Sequence, residues 1–176
     1  SAFSLNDAFA NDGSLIEEVE TLEHDTTSGR HNSLVQVDAD TYALAYRGYE
    51  YDGYISTFTI SADGSSITEI DTLEHDTAHG EYNSLVKVDA DTYALAYTGA
   101  DNDGFISTFT IDSDGTITAV KTQSEGNNLE HDIADDTYNS LVQVDADTYA
   151  LAYRGSSNDG FISTFTINSA GVITAV

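Results

Sequence analysis

Cysteine is absent from this 176-residue chain, which excludes disulfides, thiol chemistry and cysteine metal sites and leaves the redox compartment open. Tryptophan and methionine are absent too, so the large apolar surfaces fall to 11 Tyr and 7 Phe. Positive charge is scarce: 5 Lys and Arg stand against 31 Asp and Glu, a formal charge of −26. Such a field repels nucleic acid phosphates and anionic lipid headgroups, and neither is an expected partner. Salt screening shortens the self-repulsion to about 10 Å or less, so a saline or calcium-rich setting suits the chain. No apolar stretch approaches the roughly 20 residues of a membrane span, and no charged-then-apolar signal segment opens the sequence. A soluble protein with a buried core is expected from its 40% hydrophobic content.

What is present is one unit written three times. Asn32-Ser33-Leu34-Val35 returns at Asn83 and Asn139, Thr41 to Tyr46 returns at Thr92 and Thr148, and Ser56 to Ile60 returns at Ser107 and Ser163. The offsets are 51 and then 56 in every block. Repeats of this length indicate one folding unit stacked beside copies of itself. The chain opens on Ser1 in mid-repeat, which is expected of a processed product or a piece cut from a longer array.

Within a repeat the hydrophobic period is two. In Tyr42-Ala43-Leu44-Ala45-Tyr46 bulky residues alternate with Ala, so one face is large, the other small, and both are apolar. Tyr54 to Ile60 is rich in β-branched and aromatic residues, which favour strands. Ser33 to Val37 and the more polar Ser66 to Ile70 complete a set of four, the last expected at the outside. Asp38 to Asp40, Arg47 to Gly53 and Ser61 to Gly64 are short enough for antiparallel hairpins. The stretch from Thr72 through Leu73-Glu74-His75-Asp76 to Tyr82 is the longest link and is expected to cross between units.

Four up-and-down strands with a longer step to the next set describe a propeller blade. On the thrice-written Asn-Ser-Leu-Val, Asp-Thr-Tyr-Ala-Leu-Ala-Tyr, Asp-Gly and Ser-Thr-Phe-Thr-Ile blocks, the chain resembles the β-propeller family over nearly its whole length, and it is similar to repeat arrays of uncharacterised marine bacterial surface or secreted proteins. It departs from the tryptophan-and-aspartate repeat class in lacking Trp. The expected fold is an all-β propeller of four-stranded antiparallel blades, about three and a half per chain: 1–21 two strands of a partial blade, then blades at 22–71, 72–127 and 128–176. Ser1 to Leu5 and Leu15-Ile16, with Asp12-Gly13 between, supply the two partial strands. Open edges invite pairing, so a homodimer is expected to close a ring of six or seven blades, with a four-bladed single-chain ring as the rival.

Leu-Glu-His-Asp recurs around His24, His75 and His131. A His beside carboxylates suits Zn²⁺ or acid–base chemistry, but a group carried by every blade is better explained by packing. His75 is expected to tie the crossing to the second hairpin by hydrogen bonding to Asp52 or Asp103, and Asp159 is the third copy of that aspartate. The tryptophan-and-aspartate propellers use a similar His and Asp pairing structurally. Asp-Gly at these hairpins and at Asp63-Gly64 and Asp114-Gly115 is turn chemistry. Asp101 and Asp103 are weak candidates for Ca²⁺, though the loop is too short for the twelve-residue calcium motif. The Tyr42 and Tyr46 pair and its copies could stack on a sugar, but their alternation with Ala favours packing between blades.

Positions where the copies disagree are the better candidates for a ligand rim. Arg47, Tyr49 and Tyr51 face Thr98, Ala100 and Asn102, then Arg154, Ser156 and Asn158. Arg30 and His31 give way to Glu81 and Tyr82, then to Thr137 and Tyr138. All fall at one end of the blades, where loops on a rigid scaffold commonly build ligand contacts. No nucleophile elbow, phosphate loop or dinucleotide fingerprint occurs. The resulting expectation is a noncatalytic extracellular propeller, secreted or at the cell surface, that binds carbohydrate or protein. A structural spacer repeat and a glycan-active hydrolase or lyase are the alternatives.

Overall fold

The computed structural model describes residues 18–121 and 129–175, and these form 13 antiparallel strands in three sheets with no α-helix. The first sheet is β1 (Arg30–Gln36), β2 (Thr41–Arg47), β3 (Gly53–Ile60) and β4 (Ile67–Asp76), paired in that order. The second is β5 (Glu81–Lys87), β6 (Thr92–Thr98), β7 (Gly104–Ile111) and β8 (Ile117–Lys121), with β9 (Leu129–Asp132) also pairing to β7. The third is β10 (Thr137–Asp145), β11 (Thr148–Arg154), β12 (Gly160–Ile167) and β13 (Ile173–Ala175). Three up-and-down sheets of this kind are successive propeller blades. The two N-terminal strands expected of a partial blade lie outside the described residues.

The alternation of large and small residues explains how blades stack. Ala43, Ala45 and Ile55 of the first blade pack with Leu85, Tyr93 and Leu95 of the second. The next interface repeats it, Ala94, Ala96 and Ile106 meeting Leu141, Tyr149 and Leu151. The small face of one sheet admits the bulky face of the next, and each fully buried Leu or Ile contributes roughly 1.5–3 kcal/mol. The first strands β1, β5 and β10 lie side by side and are stitched across blades: Leu85 N–H donates to Ser33 Oγ, and Leu141 N–H to Ser84 Oγ, each at 2.9 Å.

The expected crossing is in fact strand. Leu73 to Asp76 forms the end of β4, pairing Ile55 with Leu73, Tyr54 with Glu74 and Gly53 with Asp76, and Leu129 to Asp132 does the same on β7. Alternation carries Leu73 and His75 inward, and the ladder satisfies the backbone that a loop would leave to water. The true crossing is the short stretch 77–80. It is capped by Asp76, whose Oδ1 accepts the N–H groups of Ala78 and His79 at 2.9 and 3.0 Å. Asp25 and Asp132 cap the equivalent turns.

Candidate functional site

The site lies at the blade end where the sheets are irregular. Between Arg30 and Ser33, β1 carries one residue more than the facing stretch of β2, and β5 and β10 repeat this bulge after Glu81 and Thr137. The extra residue takes a positive φ each time: 55° at His31, 50° at Tyr82 and 59° at Tyr138. Such a φ is uncommon outside Gly, and bulges re-aim side chains. Here they turn three rings from neighbouring blades into a ladder, with centroids 4.3 Å apart for His31 and Tyr82 and 4.8 Å for Tyr82 and Tyr138.

Charge gathers around this ladder. Arg47 Nη1 lies 3.0 Å from Glu81 Oε1, bridging the first and second blades, and its guanidinium sits 3.9 Å from the centre of the Tyr51 ring. His31 Nε2 is 3.5 Å from Glu81 Oε1, and His79 Nε2 is 3.5 Å from Glu81 Oε2. Arg154 lies over Tyr138 at 5.5 Å and has no salt bridge among the described residues. Burial holds the His31 imidazole below its ordinary pKa; Glu81 pulls it back up, while Arg47 and Arg30 push it further down. Burial likewise raises the Tyr82 hydroxyl.

Of the expected rim residues, Arg47, Tyr51, His31, Tyr82, Tyr138 and Arg154 thus converge. Arg30 pairs opposite Arg47 and is exposed, while Tyr49 is exposed and hydrogen-bonds Glu50. Glu81 and His79 were missed as site residues, although both stand where the copies differ: His79 answers to Ser28 and Asp135. Asp136, which replaces Gly29 and Gly80, is fully buried, with Oδ2 accepting from Asn139 Nδ2 at 2.7 Å and lying 3.3 Å from Thr98 Oγ1. Burial, with a smaller push from Asp132, raises its carboxyl to about 6.

The histidines of the repeated tetrapeptide do not make the expected bond to aspartate. Both ring nitrogens of His75 and His131 are buried without a hydrogen-bond partner. Each ring instead meets a tyrosine of the following blade edge-on, His75 against Tyr97 at 4.8 Å and His131 against Tyr153 at 4.9 Å; His24 meets Tyr46 at 4.7 Å. Burial drives His75 to about 3 and His131 to about 4, so both are neutral packing groups. The carbonyls of Asp52, Asp103 and Asp159 accept the N–H groups of Gly48, Gly99 and Gly155 at 2.8–3.0 Å. Asp103 is raised by burial and by Asp101 and Asp132, and among the described residues no three such side chains converge to hold a metal ion.

No protein-family model matches the chain, and no curated protein matches it in sequence. Solved structures do resemble it. A periplasmic gluconolactonase from Pseudomonas aeruginosa aligns at a TM-score of 0.60 and 13% identity, over 80% of this chain and 40% of its own. A Bacteroides fragilis protein provisionally described as a 6-phosphogluconolactonase aligns at 0.56 and 16% identity, over 77% of this chain and 37% of its own. The chain therefore spans about two fifths of each, and at these identities the likeness establishes the propeller-type fold. The two are named as lactonases, a finding against the expectation of a noncatalytic binding or scaffold module. Among the described residues no helix is long and apolar enough to cross a membrane.

Proposed function

We propose that the chain builds part of a carbohydrate-acting hydrolase that opens a sugar lactone to the sugar acid at the bulge end of its blades. The observation that carries this reading is the gathering of Arg47 and Arg154, two histidines and a ring ladder at one end of a chain whose charge is −26. Tyr82 and Tyr138 offer ring faces to the C–H face of a sugar. Arg154, free of a carboxylate among the described residues, is placed to hold the oxyanion and then the product carboxylate.

His31 is the base. Burial keeps it neutral near pH 7, and Glu81 beside Nε2 stabilises the imidazolium formed when it takes a proton from water. The water oxygen bonds to the lactone carbonyl carbon, the ring C–O bond breaks, and the proton passes from His31 to the leaving alkoxide. The periplasmic lactonase supports a location outside the cytoplasm for this chain.

The test follows acid release from gluconolactone by pH-stat, with the full chain at concentrations spanning its assembly range. Hydrolysis above the buffer rate is expected, with His31→Ala losing roughly 10²–10⁴-fold in kcat and Arg154→Ala raising KM. Buffer-rate hydrolysis by the wild-type chain, or an unchanged rate in His31→Ala, overturns the assignment.

A further inference from the structure

The hairpin between the second and third strands makes the same backbone turn in every blade. Two consecutive residues take a positive φ each time: 51° and 80° at Glu50 and Tyr51, 59° and 64° at Asp101 and Asn102, 61° and 64° at Ser157 and Asn158. Two blades place Asn at the second position, a side chain that tolerates this region. The first blade places Tyr there, at the largest φ of the six, where a bulky side chain is a strained outlier.

The fold asks for the turn and not for the ring. Tyr51 O accepts the Gly80 N–H at 2.8 Å, and Asn102 O accepts the Asp136 N–H at 2.9 Å, so Asn serves the crossing equally well. Nor does an arginine at the blade end require a tyrosine in the turn. Arg154 holds the Arg47 place in the third blade, paired opposite Gly160 as Arg47 is opposite Gly53, and its turn residue is Asn158. The strain at Tyr51 is therefore explained by neither, and strain of this kind gathers at functional sites.

The ring is braced as a platform beside the candidate base. Arg47 is held at 3.0 Å by Glu81, and its guanidinium lies 3.9 Å from the centre of the Tyr51 ring. His79 meets the same ring at 5.2 Å, tilted by 58°. With both in place Tyr51 is still 49% exposed. Arg47 and Glu81 stand between it and His31, whose Nε2 is 3.5 Å from the Glu81 oxygen that Arg47 binds. Tyr51 is thus displaced from the reacting carbonyl and available to a neighbouring part of the substrate. Charge narrows what that part is. Arg47 is neutralised by Glu81, and the adjoining Glu50 is exposed. On a chain of charge −26 this spot repels an acidic sugar, while a carboxylate accepts hydrogen bonds from the hydroxyls of a neutral one.

We infer that Tyr51 is the stacking platform of a second sugar subsite, so that the substrate is a lactone carrying a further neutral pyranose. The lactone rests on the reading of the bulge end given above; the second ring rests on Tyr51. Stacking of an aromatic face on the C–H face of a sugar is worth up to about tenfold in affinity.

The test compares pH-stat rates on gluconolactone and on cellobionolactone, which is gluconolactone bearing one glucose. The wild-type chain is expected to favour the two-ring lactone in kcat/KM. Tyr51→Asn, which installs the residue of the other two blades, should cut that preference by about tenfold, mainly through KM, and Tyr51→Phe should keep it. Since the strain is relieved, the Tm of Tyr51→Asn should be unchanged or higher by up to about 4 °C. A ring that serves packing gives the reverse, a lower Tm with the preference intact, and that result overturns the inference, as does a wild-type chain indifferent to the second sugar. Hydrolysis of neither lactone refutes the lactonase reading alone. Calorimetric titration with cellobiose, which needs no turnover, then decides the platform: saturable binding weakened about tenfold in Tyr51→Asn supports it, and no binding, or equal binding by both chains, overturns it.

Discussion

Gly104–Ile111 and Gly160–Ile167 are the same eight residues in the same strand of consecutive blades, and they differ in what lies over them. Truncating the isoleucine in each therefore isolates the worth of the blade interface. Ile106 is fully buried against the third blade, so Ile106→Ala removes three buried carbons and opens a cavity at a cost of about 2–5 kcal/mol. Ile162 is 78% exposed in the single chain, and Ile162→Ala should stay within about 0.5 kcal/mol. Because the local sequences are identical, local denatured-state effects of the two substitutions should largely cancel. The assay is urea unfolding at a dilution where sedimentation gives single copies. In heat scans, at about 2–4 °C per kcal/mol for a chain of this size, Ile106→Ala should fall by roughly 4–20 °C and Ile162→Ala by at most about 2 °C. Equal losses in dilute single copies would refute the claim that blade-on-blade burial, and not the strand itself, supplies the stability.

Three further outcomes follow from the site and its neighbours. Glu81→Gln leaves the half-buried Arg47 without its anion and should cost about 1–2 kcal/mol, while the His31 pKa, which Glu81 raises, should fall further in an NMR titration. Gly53→Ala places a Cβ 2.5 Å from the His75 ring and 3.0 Å from the Gly80 Cα, and chemical denaturation should record a loss of about 1–3 kcal/mol. Between pH 6 and 4 the unfolded chain takes up protons at His75 and His131, whose folded pKa values lie at about 3 and 4, so their contribution to stability is lost as pH falls. Asp136 works the other way: its folded pKa of about 6 exceeds the ordinary 3.8, so its contribution is present at low pH and lost as pH rises through 6. Near pH 5 the unfolded state holds about one net extra proton from these three groups, a slope of about 1.4 kcal/mol per pH unit. Asp136→Asn removes the opposing proton and should roughly double it; an unchanged slope in urea midpoints across this range would count against the burial of Asp136.

The rim shows where sequence reading reached the candidate site and where it stopped. Disagreement among copies marked His31, Tyr82, Tyr138, Arg47 and Arg154, because residues that differ between otherwise identical blades are not needed by the shared scaffold. The same signal was available for His79 and Glu81, but their roles depend on the bulge that turns His31 and Tyr82 outward, and a single extra strand residue leaves no mark on a two-residue period. The tetrapeptide around His75 was misplaced for a related reason. Its charged residues resemble a loop, yet two of every four positions face water even in a strand.

The repeat, its alternation of Tyr or Leu with Ala and its short links pointed to the architecture without coordinates, since strands apolar on both faces and joined by hairpins form antiparallel sheets that must be covered on both sides. Tertiary structure alone decided which side chains from different blades meet. The Arg47–Glu81 bridge spans 34 positions, and the His31–Tyr82–Tyr138 ladder joins rings from three blades. Local pattern fixes how each strand folds, whereas the distance between blades and the rotation of one on the next fix what their ends can hold.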